Sequence, residues 1–186
     1  MKKIFIDVET TGLNSYTNSL VQLAFILEID NGISESGVFK LKPRQEKSYD
    51  QRALKIIGKT PSQLFEEGSE RQYVKDKFTQ ILRSYIDPFD KKDKFFFYAY
   101  NSPFDSGFLR SFFTQMGDKF YGSFFWTPDI CIMRLVGEKL LEKRAMFENF
   151  KLGTVCREVG IPFDETEAHD AMYDIKKTYE LYKKEV

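Results

Sequence analysis

The feature that most constrains this chain lies at its start. Residues 3–13 read Lys-Ile-Phe-Ile-Asp-Val-Glu-Thr-Thr-Gly-Leu, an apolar run that places two carboxylates one residue apart. A strand alternates its side chains with a period of two, so Asp7 and Glu9 share one face while Ile4, Ile6 and Val8 take the other. Two carboxylates that close resist ionising together unless a cation neutralises them. Hard divalent ions such as Mg²⁺ or Mn²⁺ favour oxygen ligands of this kind. The first strand is therefore predicted to run through the core and to end in a metal site, which other segments must complete.

The 186 residues suffice for one domain with a sizeable core, expected to span 1–186. With 28 basic and 28 acidic residues the formal net charge is zero. That excludes a histone-like coating protein, which needs a basic excess, and leaves open nucleic acid handled at a local site. The clusters Lys40/Lys42/Arg44/Lys47, Lys91/Lys92/Lys94 and Lys139/Lys143/Arg144 read as solvated faces. Cys131 and Cys156 sit among apolar neighbours in helix-like segments, with no CxxC or Cys/His spacing, and read as buried thiols. Met1-Lys2-Lys3 leads straight into the strand, and no apolar stretch nears the ~20 residues of a membrane span. The expectation is a reduced, cytoplasmic protein with no membrane partner.

Strands are expected at 20–29 and 33–42, joined across the turn signal Asp30-Asn31-Gly32. Residues 51–57 and 61–67 read as short helices on either side of Gly58-Lys59-Thr60. Residues 71–86 form an amphipathic pattern through Val74, Phe78, Ile81, Leu82 and Tyr85, stopped by Asp87-Pro88. Residues 95–99 read as a buried strand, and Ser102-Pro103 opens a helix to about 115 with Ser102 as N-cap. Further helices are expected at 129–141, 152–159 and 168–184. Strands first, then a strand alternating with helices, predict an α/β domain with a mixed sheet.

Two more acidic segments can serve the first strand. Asp105 falls in the first turn of the helix after strand 95–99. Its leading local reading is a capping box, Ser102-x-x-Asp105, in which an acid also complements the helix dipole. His169, the only histidine of the chain, precedes Asp174 by five residues. On an ideal helix these lie about 140° apart, so sharing a site requires His169 at the loop–helix junction and Asp174 inside the helix.

Together the three segments resemble the histidine-containing branch of the DEDD family of 3′–5′ exonucleases. The first motif is Phe5-Ile6-Asp7-Val8-Glu9-Thr10-Thr11-Gly12-Leu13. The second is Tyr100-Asn101-Ser102-Pro103-Phe104-Asp105-Ser106-Gly107-Phe108-Leu109, and the third is His169-Asp170-Ala171-Met172-Tyr173-Asp174. Lys151-Leu152-Gly153-Thr154-Val155 resembles the helix before the third motif, and Ile56-Ile57-Gly58-Lys59-Thr60 a Gly-Ile-Thr-type segment. Tyr100 and Ile57 stand where the family often has His.

The resemblance implies a ribonuclease H-like fold with a five-stranded mixed sheet flanked by helices. It implies a metal-dependent 3′–5′ exonuclease that hydrolyses DNA or RNA to 5′-mononucleotides by a two-metal mechanism. Asp7, Glu9, Asp105 and Asp174 would hold two divalent ions, Mg²⁺ or Mn²⁺, with His169 as general base; an unperturbed imidazole titrates near neutrality. Thr10, Leu13, Asn101 and Phe104 would grip the terminal nucleotide, although Leu13 and Phe104 alone read as core. Phe108 and Phe112 read as core rather than as stacking platforms. The implied partner is nucleic acid with a free 3′ end, single-stranded, and the family admits a polymerase or repair complex in trans and a homodimer. Two rivals are another ribonuclease H-like nuclease, such as an endonuclease, and a non-catalytic nucleic-acid or polymerase-binding module. The histidine disfavours the first, and retention of all five candidate catalytic residues disfavours the second.

Overall fold

The computed structural model describes residues 1–45 and 48–186. Lys47, the last member of the first basic cluster, lies outside them. Lys40 and Lys42 of that cluster pair with Glu67 and Glu70, as a solvated face should.

Five strands form one sheet: β1 (Lys2–Thr10), β2 (Leu20–Ile29), β3 (Gly32–Lys40), β4 (Phe96–Ala99) and β5 (Ile130–Cys131), in the order β3-β2-β1-β4-β5. The first three are antiparallel, while β4 runs parallel to β1 and to β5. Asp30 and Asn31, with φ of 48° and 70°, make the tight β2–β3 turn whose twist suits a hairpin. Helices α1 (Gln51–Ile57), α2 (Pro61–Glu67), α3 (Arg71–Tyr85), α4 (Ser102–Gln115), α5 (Tyr121–Phe124), α6 (Ile132–Lys139), α7 (Leu152–Glu158) and α8 (Ala171–Glu185) complete the chain, with a 3-10 turn at Leu141–Met146.

The sheet is covered on both faces, so the alternation of β1 addresses two separate cores. Ile4, Ile6 and Val8 pack with Val74 and Phe78 of α3 and Phe108 and Phe112 of α4. Phe5 points the other way, with Val136, Val155 and Ile175 of α6, α7 and α8. Asp7 and Glu9 share the parity of Phe5 and therefore emerge on the α8 side. Among the described residues no helix is long and apolar enough to cross a membrane.

Three local expectations are corrected. Residues 129–141 do not form one helix. Ile130 and Cys131 pair with Tyr98 and Ala99, so ladder bonding takes the segment before α6 begins at Ile132. Cys131 is thus a strand residue, and both thiols are buried and free. The capping box at α4 does not form either: Asn101 is the N-cap and no side chain caps it. The β1–β4 ladder ends at the pair Phe5 and Tyr98, which leaves the Val8 N–H on that side without a strand partner. The Asp105 carboxylate accepts it at 3.2 Å. A buried N–H must be satisfied, and this demand outcompetes the local cap. Last, α8 begins at Ala171 rather than at 168, with Asp170 as N-cap, which leaves His169 at the loop–helix junction that a site shared with Asp174 requires.

Candidate active site

The early end of the β1–β4 ladder makes the site. β1 runs on past its parallel neighbour, and the gap between its last residues, α1, α4 and α8 is a cleft of about 280 Å³. Asp7, Glu9, Asp105, His169 and Asp174 all line it. So do Thr10, Leu13, Asn101 and Phe104. Every residue singled out from sequence is brought to one place.

Each acid is held by the elements around it. Asp105 is fastened to the Val8 backbone, between Asp7 and Glu9. Asp170 caps α8 by accepting the N–H groups of Met172 and Tyr173, both at 3.0 Å. Its other oxygen accepts from the Gln22 amide at 3.2 Å, and Gln22 is the β2 partner of Glu9, so the helix start is tied to the strand pair. His169 adopts φ 68°, a left-handed conformation uncommon outside glycine, and this is what turns it into the cleft ahead of the helix. Its backbone N–H donates to Asp174 Oδ2 at 3.1 Å. Ligand atoms of Glu9, His169 and Asp174 lie within 4.8 Å of one another.

The charges do not balance. Among the described residues no lysine or arginine lines the cleft. Burial, then the charges of Asp105, Glu9 and Asp174, push the Asp7 carboxyl well above the usual range. Burial and the charge of Asp174 push Glu9 up to about 8. Burial raises Asp105 strongly despite the Val8 N–H that favours its anion. Asp174 rises to about 6, chiefly by burial, opposed by the His169 N–H and charge. Its Oδ1 is buried with no hydrogen-bond partner. Unpaired buried carboxylates are costly, and an orphaned carboxylate oxygen beside other acids supplies the oxygen donors a hard divalent cation takes. The residues fit a metal.

The remaining walls suit an organic ligand. Gly12 admits no side chain, because a Cβ there would lie 2.5 Å from the Asn18 amide group that fixes the loop. Asn18 binds the Asn14 N–H and the carbonyls of Thr11 and Ser48, and Thr10 Oγ1 donates to the Gly12 carbonyl at 2.6 Å. This rigid loop holds Leu13 out at 82 % exposure, which overturns its reading as core. Ile57, at a position where the family often has His, supplies further apolar surface, together with Ile56 and Leu152, which the sequence reading did not assign to the site. Their one signal was the resemblance of 56–60 and 151–155 to family segments. Tyr100 is fixed by donating to the Phe150 carbonyl at 2.7 Å, and burial raises its phenol further. Phe104 is partly buried against the core, and Phe108, Phe112 and Phe113 are fully within it.

Comparisons with known proteins agree with this geometry. The RNase_T family model, described as exonuclease, matches residues 4–182. Ribonuclease T of Shewanella baltica is 29% identical, over 96% of this chain and 78% of that protein. Ribonuclease T of Shewanella oneidensis is also 29% identical, over 96% and 79%. Among solved structures, the zinc-bound complex of Escherichia coli exonuclease I with single-stranded DNA superposes with a TM-score of 0.78 at 21% identity. Its complex with a dA16 oligonucleotide gives the same TM-score and identity. In both, the match covers 98% of this chain and 40% of the exonuclease I chain, so this chain spans less than half of that enzyme. At that identity the likeness shows a shared ribonuclease H-like fold. The family match spans nearly the whole chain: the protein belongs to the DEDD family of 3′–5′ exonucleases.

Proposed function

We propose that the chain hydrolyses single-stranded nucleic acid from a free 3′ end by a two-metal mechanism, with His169 as general base. The observation that carries this is the convergence of four carboxylates in a cleft that no lysine or arginine lines among the described residues, around a buried Asp174 oxygen without a partner. A module that only bound nucleic acid would gain stability by losing these acids.

Asp7, Glu9 and Asp174 would hold one divalent ion, Mg²⁺ or Mn²⁺, and Asp7 with Asp105 a second. When bound, the ions neutralise the carboxylates, lower the pKa of a water and stabilise charge on the phosphoryl and leaving oxygens. The protein's own groups then have distinct tasks. His169 is exposed at the rim, so its imidazole can take a proton from the attacking water and release it to solvent. Asp174 fixes the junction that carries His169 through its N–H. Leu13, on its pinned loop, presses on the terminal base from one side, with Phe104 and Asn101 across the cleft. Thr10 holds the loop's shape. The names of the relatives, ribonuclease T and exonuclease I with single-stranded DNA, support a single strand as substrate.

Incubation of 5′-labelled DNA and RNA single strands with Mg²⁺ or Mn²⁺ tests the reading. Stepwise shortening from the 3′ end, stopped by a 3′ block, is expected. Intact strands under both metals contradict it, and cutting of blocked strands assigns an endonuclease instead.

A further inference from the structure

We infer that the groove between the Leu13–Asn18 loop and the outer face of α4 is a second nucleotide subsite, which holds the strand 5′ of the scissile phosphate. The inference rests on the exonuclease reading above and adds to it a path for the substrate. The groove encloses about 410 Å³ and is lined by Tyr16, Gly107, Arg110, Ser111, Thr114 and Gln115, with Ser15 at its edge.

Its walls are built on the same loop and the same helix as the catalytic cleft. Phe104 lines the cleft and Ser111 the groove, and seven residues put both on one flank of α4, about 10 Å apart. The Ser111 hydroxyl donates to the Ser15 carbonyl at 2.7 Å, so loop and helix form one rigid trough. The loop itself shows an aromatic or apolar side chain to each compartment, Leu13 to the cleft and Tyr16 to the groove, 82 % and 80 % exposed. An exposed ring beside a cation is the usual platform for an unpaired base and its phosphate.

Charge selects this groove over the one on the opposite side of the cleft. That other groove, about 520 Å³, sets Lys151 and Arg157 against Glu148 and Glu165, and Arg157 is already paired with Glu165. In the Tyr16 groove Arg110 is the only charged lining residue, and among the described residues it forms no ion pair. Its guanidinium lies 4.3 Å from the Tyr121 ring centre, which holds it in place and leaves its N–H edges for an anion. A phosphate of the substrate strand finds an unpaired guanidinium here, with no acid among the described lining residues. Gly107 keeps the trough open: a Cβ there meets nothing within 4 Å. A duplex end cannot place an unstacked base on Tyr16, so the groove also favours single-stranded 3′ ends.

The test compares an oligonucleotide with the p-nitrophenyl ester of thymidine 5′-monophosphate, which fills the cleft and cannot reach the groove. Tyr16→Ala and Arg110→Ala are each expected to raise KM for a single-stranded oligonucleotide about tenfold and to leave hydrolysis of the ester unchanged. Arg110→Ala should also flatten the slope of log KM against log salt by about 0.7, the share of one phosphate contact on a single strand. Gly107→Leu, which improves helix propensity while filling the trough, should impair the oligonucleotide alone. Unchanged oligonucleotide kinetics in all three variants, or equal losses on both substrates, overturn the subsite. Wild type that cleaves neither substrate fails the exonuclease reading rather than this one.

Discussion

The two ends of β1 carry buried charge in opposite ways. At the Lys3 end, Lys3 Nζ donates to Glu28 at 2.6 Å, Tyr179 donates to the other Glu28 oxygen at 2.8 Å, and Lys183 adds a third donor at 3.2 Å. Burial pushes the Glu28 carboxyl up, yet the hydrogen bonds from Lys3, Tyr179 and Lys183 outweigh it and hold it below its ordinary value. Burial likewise pushes Lys3 down, and its bonds to Glu28 and Tyr182 reverse the sign. At the Asp7 end the same strand pair and the same helix gather Asp7, Glu9 and Asp174, and all three carboxyls are pushed up. One charged site is completed from within the fold and clamps the far half of α8 to the sheet. The other lacks its cations and must receive them from outside. Structural and functional charge can thus be told apart by whether the fold supplies the counter-charge.

Substitutions at the two ends should separate activity from stability. The largest effect is expected from Asp7→Ala, which removes a ligand shared by both proposed ions: hydrolysis of a labelled single strand should fall by on the order of a thousandfold, as it should for wild type in EDTA. His169→Ala should cost about a hundredfold or more in kcat on the same labelled strand. A full rate at neutral pH in that variant removes His169 from the mechanism.

At the other end, Glu28→Ala strands a buried lysine. A cost of about 3–5 kcal/mol is expected, roughly 10 °C in Tm by calorimetry, with kcat at 25 °C within about threefold of wild type. If activity collapses while the fold persists, the two ends are not separable.

The smallest effect concerns pH. Glu9 binds its proton up to about pH 8 in the folded chain, against 4.5 ordinarily, and Asp174 up to about 6, against 3.8. Across that window the folded state holds more protons than the unfolded one, so metal-free stability falls as pH rises from about 4 to 8. Thermal melts in EDTA should show Tm declining over this range by a few degrees, with added Mn²⁺ removing the decline. A metal-free Tm that climbs between pH 6 and 8 contradicts the assignment.

Much of the fold is legible in the sequence. The bounds of β2, α1, α2 and α4 follow from periodicity and from Gly and Pro punctuation, and the five candidate catalytic residues from the resemblance of three segments to the exonuclease motifs. What failed depended on partners distant in sequence. Asp105 satisfies a capping rule with Ser102, and nothing local reveals that Val8, 97 residues earlier, offers a stranded N–H. Ile130 and Cys131 became a strand because β4 had a free edge. Leu13 resembles a core residue until the Asn18 brace holds its loop away from the core. The Lys3–Glu28–Tyr179 clamp joins elements up to 151 residues apart and has no local signature.

The central claim is that the acids of the cleft cost stability because they await cations that do chemistry. Glu9→Gln tests both halves in one protein, since it removes a charge while keeping the shape. Its Tm in EDTA at pH 8 should exceed that of wild type by about 3 °C or more, while 3′–5′ hydrolysis with Mn²⁺ drops by on the order of a hundredfold or beyond. A variant that is no more stable than wild type and digests the strand at the wild-type rate contradicts the account.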